Sequence, residues 1–235
     1  MSTPAQRSSR RRPTPPPAAS DHSRRVVLVV FVAAAIAFGI VGGLSYGKRY
    51  LAEPVDLWWG DLMLEQRTDA GLFLAWIPAV IGGPIPMLII GLTMVGTFLY
   101  LRWKVVALTV AAAMVTSVAM AAPLAAVVAR TRPETSLAET VPTSFPSGHT
   151  AMAATVALVL ALIFRHWLLW VLGTVWVVAM AWCRTYLEAH WLTDVIAGAL
   201  LGIIAGSVAW LVIETIRRRR TRTKEEQGMT ESLRS

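Results

Sequence analysis

Three short stretches of the chain hold side chains that could do chemistry on a phosphate group. They are RTRP at residues 130–133, PSGH at residues 146–149, and a stretch containing Arg184, His190 and Asp194. Arginine offers a planar fork that matches phosphate oxygens, so we expect Arg132 and Arg184 to neutralise a bound phosphate. Serine followed by glycine at a helix start exposes backbone N–H groups to an anion, which is the role expected of Ser147 and Gly148.

His190 and Asp194 have a spacing that suits nucleophilic catalysis. Four residues apart on a helix, they would lie on one face, where the carboxylate accepts a hydrogen bond from one ring nitrogen and leaves the other as a nucleophile. A phosphohistidine intermediate would divide hydrolysis into two easier steps. His149 would be the general acid that protonates the departing oxygen. A histidine that only packs between helices is the alternative for His149 alone, and its polar neighbours favour the catalytic interpretation.

The composition excludes an ordinary soluble enzyme. Of 235 residues, 55% are hydrophobic and 15% are charged, and the mean hydropathy is +0.56, whereas a soluble domain has about 25% charged residues. The single cysteine, Cys183, excludes an intramolecular disulfide and a multi-cysteine metal site. Apolar runs long enough to cross a bilayer occupy residues 26–45, 85–101, 105–128, 148–164, 167–183 and 195–213. The predicted fold is all-α, a polytopic membrane protein with six transmembrane helices.

The second span needs a break in front of it. Residues 70–101 carry no charge over 32 positions, which is longer than one straight helix needs to cross a bilayer. Pro78 and the group Gly82-Gly83-Pro84-Ile85-Pro86 offer the break, because proline removes a helix donor and restricts the residue before it. The preceding segment, with residues 57–64, mixes tryptophan with acids, and it is either an interfacial segment or a plain connecting loop.

The net charge of +8 is mainly a topology signal. Basic residues gather in residues 102–104, in residues 165–166, in a disordered tail over residues 1–25 and in a basic tail over residues 215–235. Retained Lys and Arg mark the cytoplasmic side, so both termini are predicted to be cytoplasmic and the three phosphate-type stretches extracytoplasmic. We expect the tails to contact membrane lipids and no nucleic acid, since a basic run directly after a span is typical of lipid-headgroup binding.

The three stretches resemble the signature of the type 2 phosphatidic acid phosphatase superfamily. The resemblance rests on Arg132-Pro133, on Pro146-Ser147-Gly148-His149, and on Arg184 followed at fixed spacing by His190 and Asp194. It covers about residues 26–214, the predicted membrane domain. That superfamily contains integral-membrane lipid phosphatases and, more distantly, vanadium haloperoxidases and glucose-6-phosphatase. The resemblance implies a six-helix phosphatase of the cytoplasmic membrane. It also implies these roles: His190 as nucleophile, Asp194 as its partner, His149 as acid, and Arg132, Ser147, Gly148 and Arg184 as phosphate ligands.

Two positions depart from the family pattern. The family has a lysine seven residues before the arginine of the first motif, and this chain has Ala125 there. Either Arg130 supplies the missing charge as a further phosphate ligand, or it is an ordinary loop residue. The family's serine before the third-motif arginine is Cys183 here, and we expect a modest loss of support for the site because a thiol is a weak donor.

The resulting prediction is a phosphatase that uses no metal and no cofactor. Its expected substrates are a polyprenyl pyrophosphate, a polyprenyl-phosphosugar phosphate, phosphatidic acid or phosphatidylglycerol phosphate. The alternatives are a non-catalytic protein that binds or transports anionic lipids and, less suited to an intramembrane chain, a haloperoxidase. Gly198, Gly202 and Gly206 form a stripe of small residues that favours close helix packing, with a homodimer through the stripe as the second interpretation.

Overall fold

The computed structural model describes residues 13–47, 51–138 and 141–232. Within these residues the chain forms eight α-helices and no strand beyond one isolated bridge between Thr131 and Thr143. The helices are α1 (Asp21–Leu44), α2 (Glu53–Glu65), α3 (Asp69–Ile81), α4 (Pro84–Tyr100), α5 (Lys104–Val128), α6 (Gly148–Phe164), α7 (Trp167–Tyr186) and α8 (Leu192–Ser232). The all-α prediction is confirmed, and the bounds of α4 to α7 lie within three residues of the predicted spans.

The predicted count of six spans is not exact. Among the described residues, α1, α5, α7 and the first part of α8 are long and apolar enough to cross a membrane. Helices α3 and α4 make a fifth span when counted together, with a bend of 49° between them. The bend falls at Gly82 and Gly83, one of the two breaks predicted from the sequence. Pro78, the other, lies inside α3 and does not end it. Helix α6 is apolar but has only 17 residues, at the short end of what a bilayer needs.

The first helix starts earlier than expected. Helix α1 begins at Asp21, and the side chain of Ser20 caps it by accepting a hydrogen bond from the Ser23 N–H, as serine commonly does at this position. Residues 21–25 therefore belong to a helix, which corrects the predicted tail. Residues 1–12 and 233–235 of the two predicted tails lie outside the described residues.

Residues 13–20 are packed against one end of the helix bundle. The carbonyl of Pro13 accepts a hydrogen bond from Trp103 Nε1 at 3.0 Å, and that of Pro16 accepts one from Arg217 at 3.1 Å. The Ala19 N–H donates to Glu214 at 2.8 Å. These contacts gather the N-terminal segment, the turn before α5 and the middle of α8 at one end, called here the tail end.

Helix α8 forms the centre of the bundle, where α1, α5 and above all α6 pack on it. The glycine stripe faces α6. A Cβ at Gly198 would lie 2.5 Å from the Ser147 carbonyl oxygen, and one at Gly202 would overlap the Ala151 carbonyl oxygen. The close-packing interpretation is therefore correct. Helix α6 of the same chain buries Gly198 and Gly202, and the homodimer stays a prediction.

Residues 53–65 and 69–81 form helices, so the plain-loop alternative for them is wrong. Helix α2 packs against α7 and α8, and α3 packs against α7. Tyr186 at the end of α7 holds the turn between α2 and α3. Its hydroxyl accepts from the Thr68 N–H at 2.9 Å and donates to the Gln66 carbonyl at 3.0 Å. Helix α2 thereby lies beside the end of the bundle where α7 ends and α8 begins, called here the site end.

Candidate active site

Two connections at the site end are joined by backbone hydrogen bonds. In the connection from α5 to α6, the Ser144 N–H donates to the Arg130 carbonyl at 2.8 Å, and the Ser144 hydroxyl donates to the Thr131 carbonyl at 3.2 Å. In the connection from α7 to α8, the Trp191 indole N–H donates to the same Thr131 carbonyl at 2.9 Å. The first and third motifs are thus held against each other.

His190 is oriented by a backbone carbonyl. Its Nδ1 lies 2.7 Å from the Ser144 carbonyl oxygen and 3.7 Å from the nearer Asp194 carboxylate oxygen. Because a carbonyl only accepts hydrogen bonds, Nδ1 carries the proton and Nε2 keeps its lone pair. The expected hydrogen bond from His190 to Asp194 is therefore replaced by one to Ser144. His190 lies in the connection ahead of α8, so it does not begin the sixth span as predicted. The prediction that His190 and Asp194 lie on one face of the same helix is therefore wrong.

Asp194 lies in the first turn of α8 and is fully buried. Its Oδ2 accepts from the Trp191 N–H at 2.9 Å, as an acid at this helix position often does. Its Oδ1 accepts from Arg130 at 2.7 Å. The carboxylate is thus fixed on both oxygens and faces the protonated side of the His190 ring, where it stabilises positive charge that develops on the ring.

Arg132 lies on the other side of the His190 ring. Its Nε donates to the Val141 carbonyl at 2.6 Å and one terminal nitrogen donates to the Ala189 carbonyl. The same terminal nitrogen lies 3.2 Å from His190 Nε2. Because Nδ1 carries the proton, the Nε2 lone pair accepts this N–H. The guanidinium therefore stands in front of Nε2, where the arginine of an anion site is expected.

Arg184 and His149 complete the group around His190. Arg184 is 2% exposed, and its carbonyl accepts from the Ala189 and His190 N–H groups at 3.0 and 3.2 Å. His149, at the start of α6, interacts electrostatically with Arg184, His190 and Arg132. The structure therefore brings together the histidines and both motif arginines named from the sequence.

Ser147 and Gly148 differ in their burial and in their hydrogen bonds. Ser147 is fully buried, its N–H donates to the Asp194 carbonyl at 3.0 Å, and its hydroxyl accepts from Thr150 at 3.1 Å. Its N–H is engaged by the protein, against the expectation that it cradles a phosphate. Gly148 is exposed, and a Cβ there would meet no heavy atom of the described chain within 4 Å. In the described part of the chain no side chain caps α6, so its start remains suited to an anion.

Arg130 is directed towards carboxylates. One terminal nitrogen donates to Asp194 at 2.7 Å and to the Thr193 hydroxyl at 2.7 Å, and the other donates to Asp56 at 2.6 Å. Its guanidinium also lies 5.5 Å from the centre of the Trp191 ring. The structure therefore places Arg130 behind the His190–Asp194 pair and does not support the expectation that it is a phosphate ligand.

Asp56, in α2, and Glu188 were missed by sequence reasoning. Asp56 is 1% exposed and pairs with Arg130, and Glu188 is 4% exposed and lies 3.2 Å from Arg67. A surplus of arginine near a buried site requires counter-charges, which is the signal that could have indicated such acids. Which acids pair with the arginines depends on contacts between distant parts of the chain, and these cannot be read from the spacing of residues in the sequence.

Burial lowers the pKa of His190 below its ordinary value of 6.5. The Asp194 carboxylate opposes this shift, while the positive charges of Arg184 and Arg132 add to it. A lowered pKa keeps the ring neutral at physiological pH, which a nitrogen nucleophile requires.

An open cavity of about 150 Å³ adjoins His190. Trp59 of α2, Trp191, Glu134 and Glu188 are among its lining residues. The cavity opens beside His190 on the side of α2, and Arg132, Arg184 and His149 are not among its lining residues.

A family model and a curated relative each match part of the chain. Residues 102–218, about half of the chain, match the family model of the PAP2 superfamily. The undecaprenyl-diphosphatase of Sulfolobus acidocaldarius is 44% identical over 59 residues, which are 25% of this chain and 28% of that protein. The match therefore spans little more than a quarter of that relative's length.

Two solved structures share the fold. One is a transmembrane PAP2-type phosphatidylglycerolphosphate phosphatase from Bacillus subtilis, with a TM-score of 0.64 and 19% identity over 84% of this chain and 97% of that one. The other is LpxE of Aquifex aeolicus, with a TM-score of 0.57 and 23% identity over 65% of this chain and 93% of that one. The matched segment 102–218 contains all three motifs. The chain is thus a membrane protein that belongs to the PAP2 superfamily.

Proposed function

We propose that this protein is a metal-independent phosphatase that hydrolyses a lipid phosphate or pyrophosphate through a phosphohistidine formed on His190. The observation that carries the proposal is the environment of the ring. Nδ1 is tied to the Ser144 carbonyl at 2.7 Å, and Nε2 points at the Arg132 guanidinium, 3.2 Å away. A neutral histidine with its lone pair aimed at an arginine is arranged for attack on a phosphate bound by that arginine.

We assign phosphate binding to Arg132, Arg184 and the start of α6. A phosphate oxygen on Arg132 would bring phosphorus close to His190 Nε2, while Arg184 neutralises the charge that grows in the transition state. The exposed backbone at Gly148 gives the phosphate room to approach the α6 amides. The surplus of positive charge attracts phosphate and repels a divalent cation, which favours a reaction without metal.

The reaction proceeds in two displacements. In the first, the Nε2 lone pair of His190 forms a bond to phosphorus, the bond from phosphorus to the lipid oxygen breaks, and His149 donates its proton to that oxygen. In the second, His149 takes a proton from a water whose oxygen attacks phosphorus, the bond to Nε2 breaks, and inorganic phosphate leaves. The negative charge of Asp194 stabilises the ring while it carries the phosphoryl group.

The substrate class follows from the membrane setting and from the relatives. Polyprenyl pyrophosphate, a polyprenyl-phosphosugar phosphate, phosphatidic acid and phosphatidylglycerol phosphate all present a phosphate on a lipid. The names of an undecaprenyl-diphosphatase and of a phosphatidylglycerolphosphate phosphatase among the similar proteins support two members of this group.

We place the site on the outer face of the cytoplasmic membrane, with both termini inside. The turn before α5, the N-terminal segment and the basic part of α8 lie together at the tail end, and the candidate site lies at the opposite end of α8. Because Lys and Arg concentrate on the cytoplasmic side, the tail end is assigned to the cytoplasm.

The test is phosphate release by detergent-purified protein in EDTA with each candidate lipid. His190→Ala should lower the rate by about 1,000-fold or more, because it removes the nucleophile. His22→Ala, an exposed histidine of α1, is the matched control and should behave as the unaltered protein. Acid-labile phosphate trapped on the protein during turnover would identify the intermediate.

Three results would contradict the proposal. Equal release from the His190→Ala variant would remove the histidine mechanism. Negligible release from both proteins, with lipid binding intact, would favour the non-catalytic lipid-binding alternative. Loss of activity in EDTA that returns with a divalent cation would overturn the metal-independent reaction.

A further inference from the structure

A buried carboxylate of α2 touches the network behind His190. Asp56 is 1% exposed, and both of its oxygens are occupied. Oδ1 accepts from the Thr193 N–H at 2.9 Å, and Oδ2 accepts from the Thr193 hydroxyl at 2.7 Å and from Arg130 at 2.6 Å. Asp56 thereby holds the first turn of α8, the turn that carries Asp194.

Arg130 links this carboxylate to the candidate catalytic pair. It donates to Asp56 with one terminal nitrogen and to Asp194 with the other, each at 2.7 Å or less. Thr193 closes the ring of contacts, since its hydroxyl accepts from Arg130 and donates to Asp56. Because every group is buried and paired, a change at Asp56 is transmitted to Asp194 through defined bonds.

The charges explain why a second acid is needed. Arg130 beside Asp194 alone would make a neutral pair, and the ring of His190 would have no net negative charge behind it. With Asp56 included, two carboxylates face one guanidinium, so the cluster keeps one negative charge. That charge lies on the side where His190 becomes positive as its Nε2 bonds to phosphorus.

We propose that Asp56 is a positioning residue of the reaction, which through Arg130 keeps Asp194 oriented and its charge uncancelled. This inference rests on the proposed function. Helix α2 then contributes to the reaction, although it contains none of the three motifs.

The test measures kcat and KM separately for Asp56→Asn, with Glu65→Gln as the control from an exposed position of the same helix. Losing a residue that orients a catalytic group typically costs about 10- to 100-fold in activity. We expect that loss in kcat, with KM for the lipid changed less than about threefold because the phosphate ligands are untouched. Glu65→Gln should match the unaltered protein.

A double variant tests the path through Arg130. In an Arg130→Lys background, one ammonium replaces the fork that bridges both carboxylates. If Asp56 acts through Arg130, then Asp56→Asn lowers kcat much less in that background than in the unaltered protein. An equal loss in both backgrounds would overturn the proposed path.

Thr193→Val provides a variant of nearly the same shape that removes only the bridging hydroxyl. It should lower kcat in the same direction, and lower the melting temperature by no more than Asp56→Asn does, since the Thr193 N–H and Arg130 still bind Asp56. This variant decides the matter if Asp56→Asn fails to fold, and an unchanged kcat for it would overturn the inference.

The outcomes separate the inference from the proposed function. If His190→Ala abolishes phosphate release while Asp56→Asn turns over normally, only the role of Asp56 fails. If the unaltered protein releases no phosphate, or His190→Ala still does, the proposed function fails and the inference falls with it. A lower melting temperature with unchanged kcat for Asp56→Asn would show a purely structural residue.

Discussion

At His190, orientation and charge are supplied by different groups. The Ser144 carbonyl fixes the proton on Nδ1, and the Asp194 carboxylate, 3.7 Å from the same nitrogen, supplies negative charge. A backbone carbonyl gains no proton at any relevant pH, so the tautomer is insensitive to the state of nearby carboxylates. The lone pair on Nε2 therefore stays on the side that faces Arg132 wherever the ring itself is neutral.

The activity should extend to lower pH than an ordinary histidine allows. Burial lowers the pKa of His190 below 6.5, with Arg184 and Arg132 adding to the shift and Asp194 opposing it. In the proposed reaction the neutral form is the nucleophile, so on the acid side the rate falls when the pH drops through the lowered pKa. The acid limb of kcat/KM should thus have its midpoint below 6.5, as measured by phosphate release between pH 4 and 8. A midpoint above that value would contradict the assignment.

The candidate site was only partly predictable from the sequence. Arg132, Arg184, His149 and His190 were found because a phosphate site needs residue types that are rare inside membranes. Ser144 acts through its backbone carbonyl, which every residue has, so its type gave no signal. Asp56 lies 74 residues before Arg130 in the chain, and only the packing of α2 on α8 reveals its part.

At the scale of the helices, the contact between α6 and α8 positions the site. Gly198 lies under Ser147, at the start of α6, and Gly202 lies one turn further along α8 under Ala151. The second motif and Asp194 are held together because these backbones approach closely, and the Ser147 N–H can then reach the Asp194 carbonyl.

Gly202→Ala should destabilise the protein by about 1 to 3 kcal/mol, as overpacking a tight contact does. The added methyl would overlap the Ala151 carbonyl oxygen, which is backbone and cannot move aside alone. Gly96→Ala in α4 is the control, because its Cβ would meet no heavy atom of the described chain within 4 Å. Thermal unfolding in detergent measures both. Equal melting temperatures for the two variants would contradict the packing described for α6 and α8.

The helices themselves were mostly predictable, because long apolar runs bounded by charges or prolines leave few alternatives in a membrane. The bend between α3 and α4 followed from glycine and proline at Gly82, Gly83 and Pro84. The helices at residues 53–65 and 69–81 could not be predicted from the sequence, since the tryptophans and acids there suit a loop as well as an interfacial helix. Contacts such as the one from Tyr186 to Gln66 decide it, and they join distant parts of the chain.

At the scale of the whole molecule, the orientation can be tested with single cysteines. Cys183→Ser removes the buried native thiol, whose Sγ donates to the Met180 carbonyl at 3.1 Å, a bond that serine can replace. In that background, Glu134→Cys at the site end should react with a membrane-impermeant maleimide in intact cells. Arg220→Cys on the basic part of α8 should react only after permeabilisation. The reverse pattern would place the site in the cytoplasm.

The length of α8 also sets the depth of the candidate site in the membrane. Asp194 and Glu214, the buried acids at the two ends of its apolar stretch, are separated by 20 residues of continuous helix, or about 30 Å, which is the thickness of the hydrocarbon layer. With Glu214 at one boundary, Asp194 and the His190 ring stand at the other, level with the lipid headgroups. In the proposed reaction, a lipid substrate would then reach His190 by diffusing in the plane of its own leaflet, without being lifted out of the bilayer.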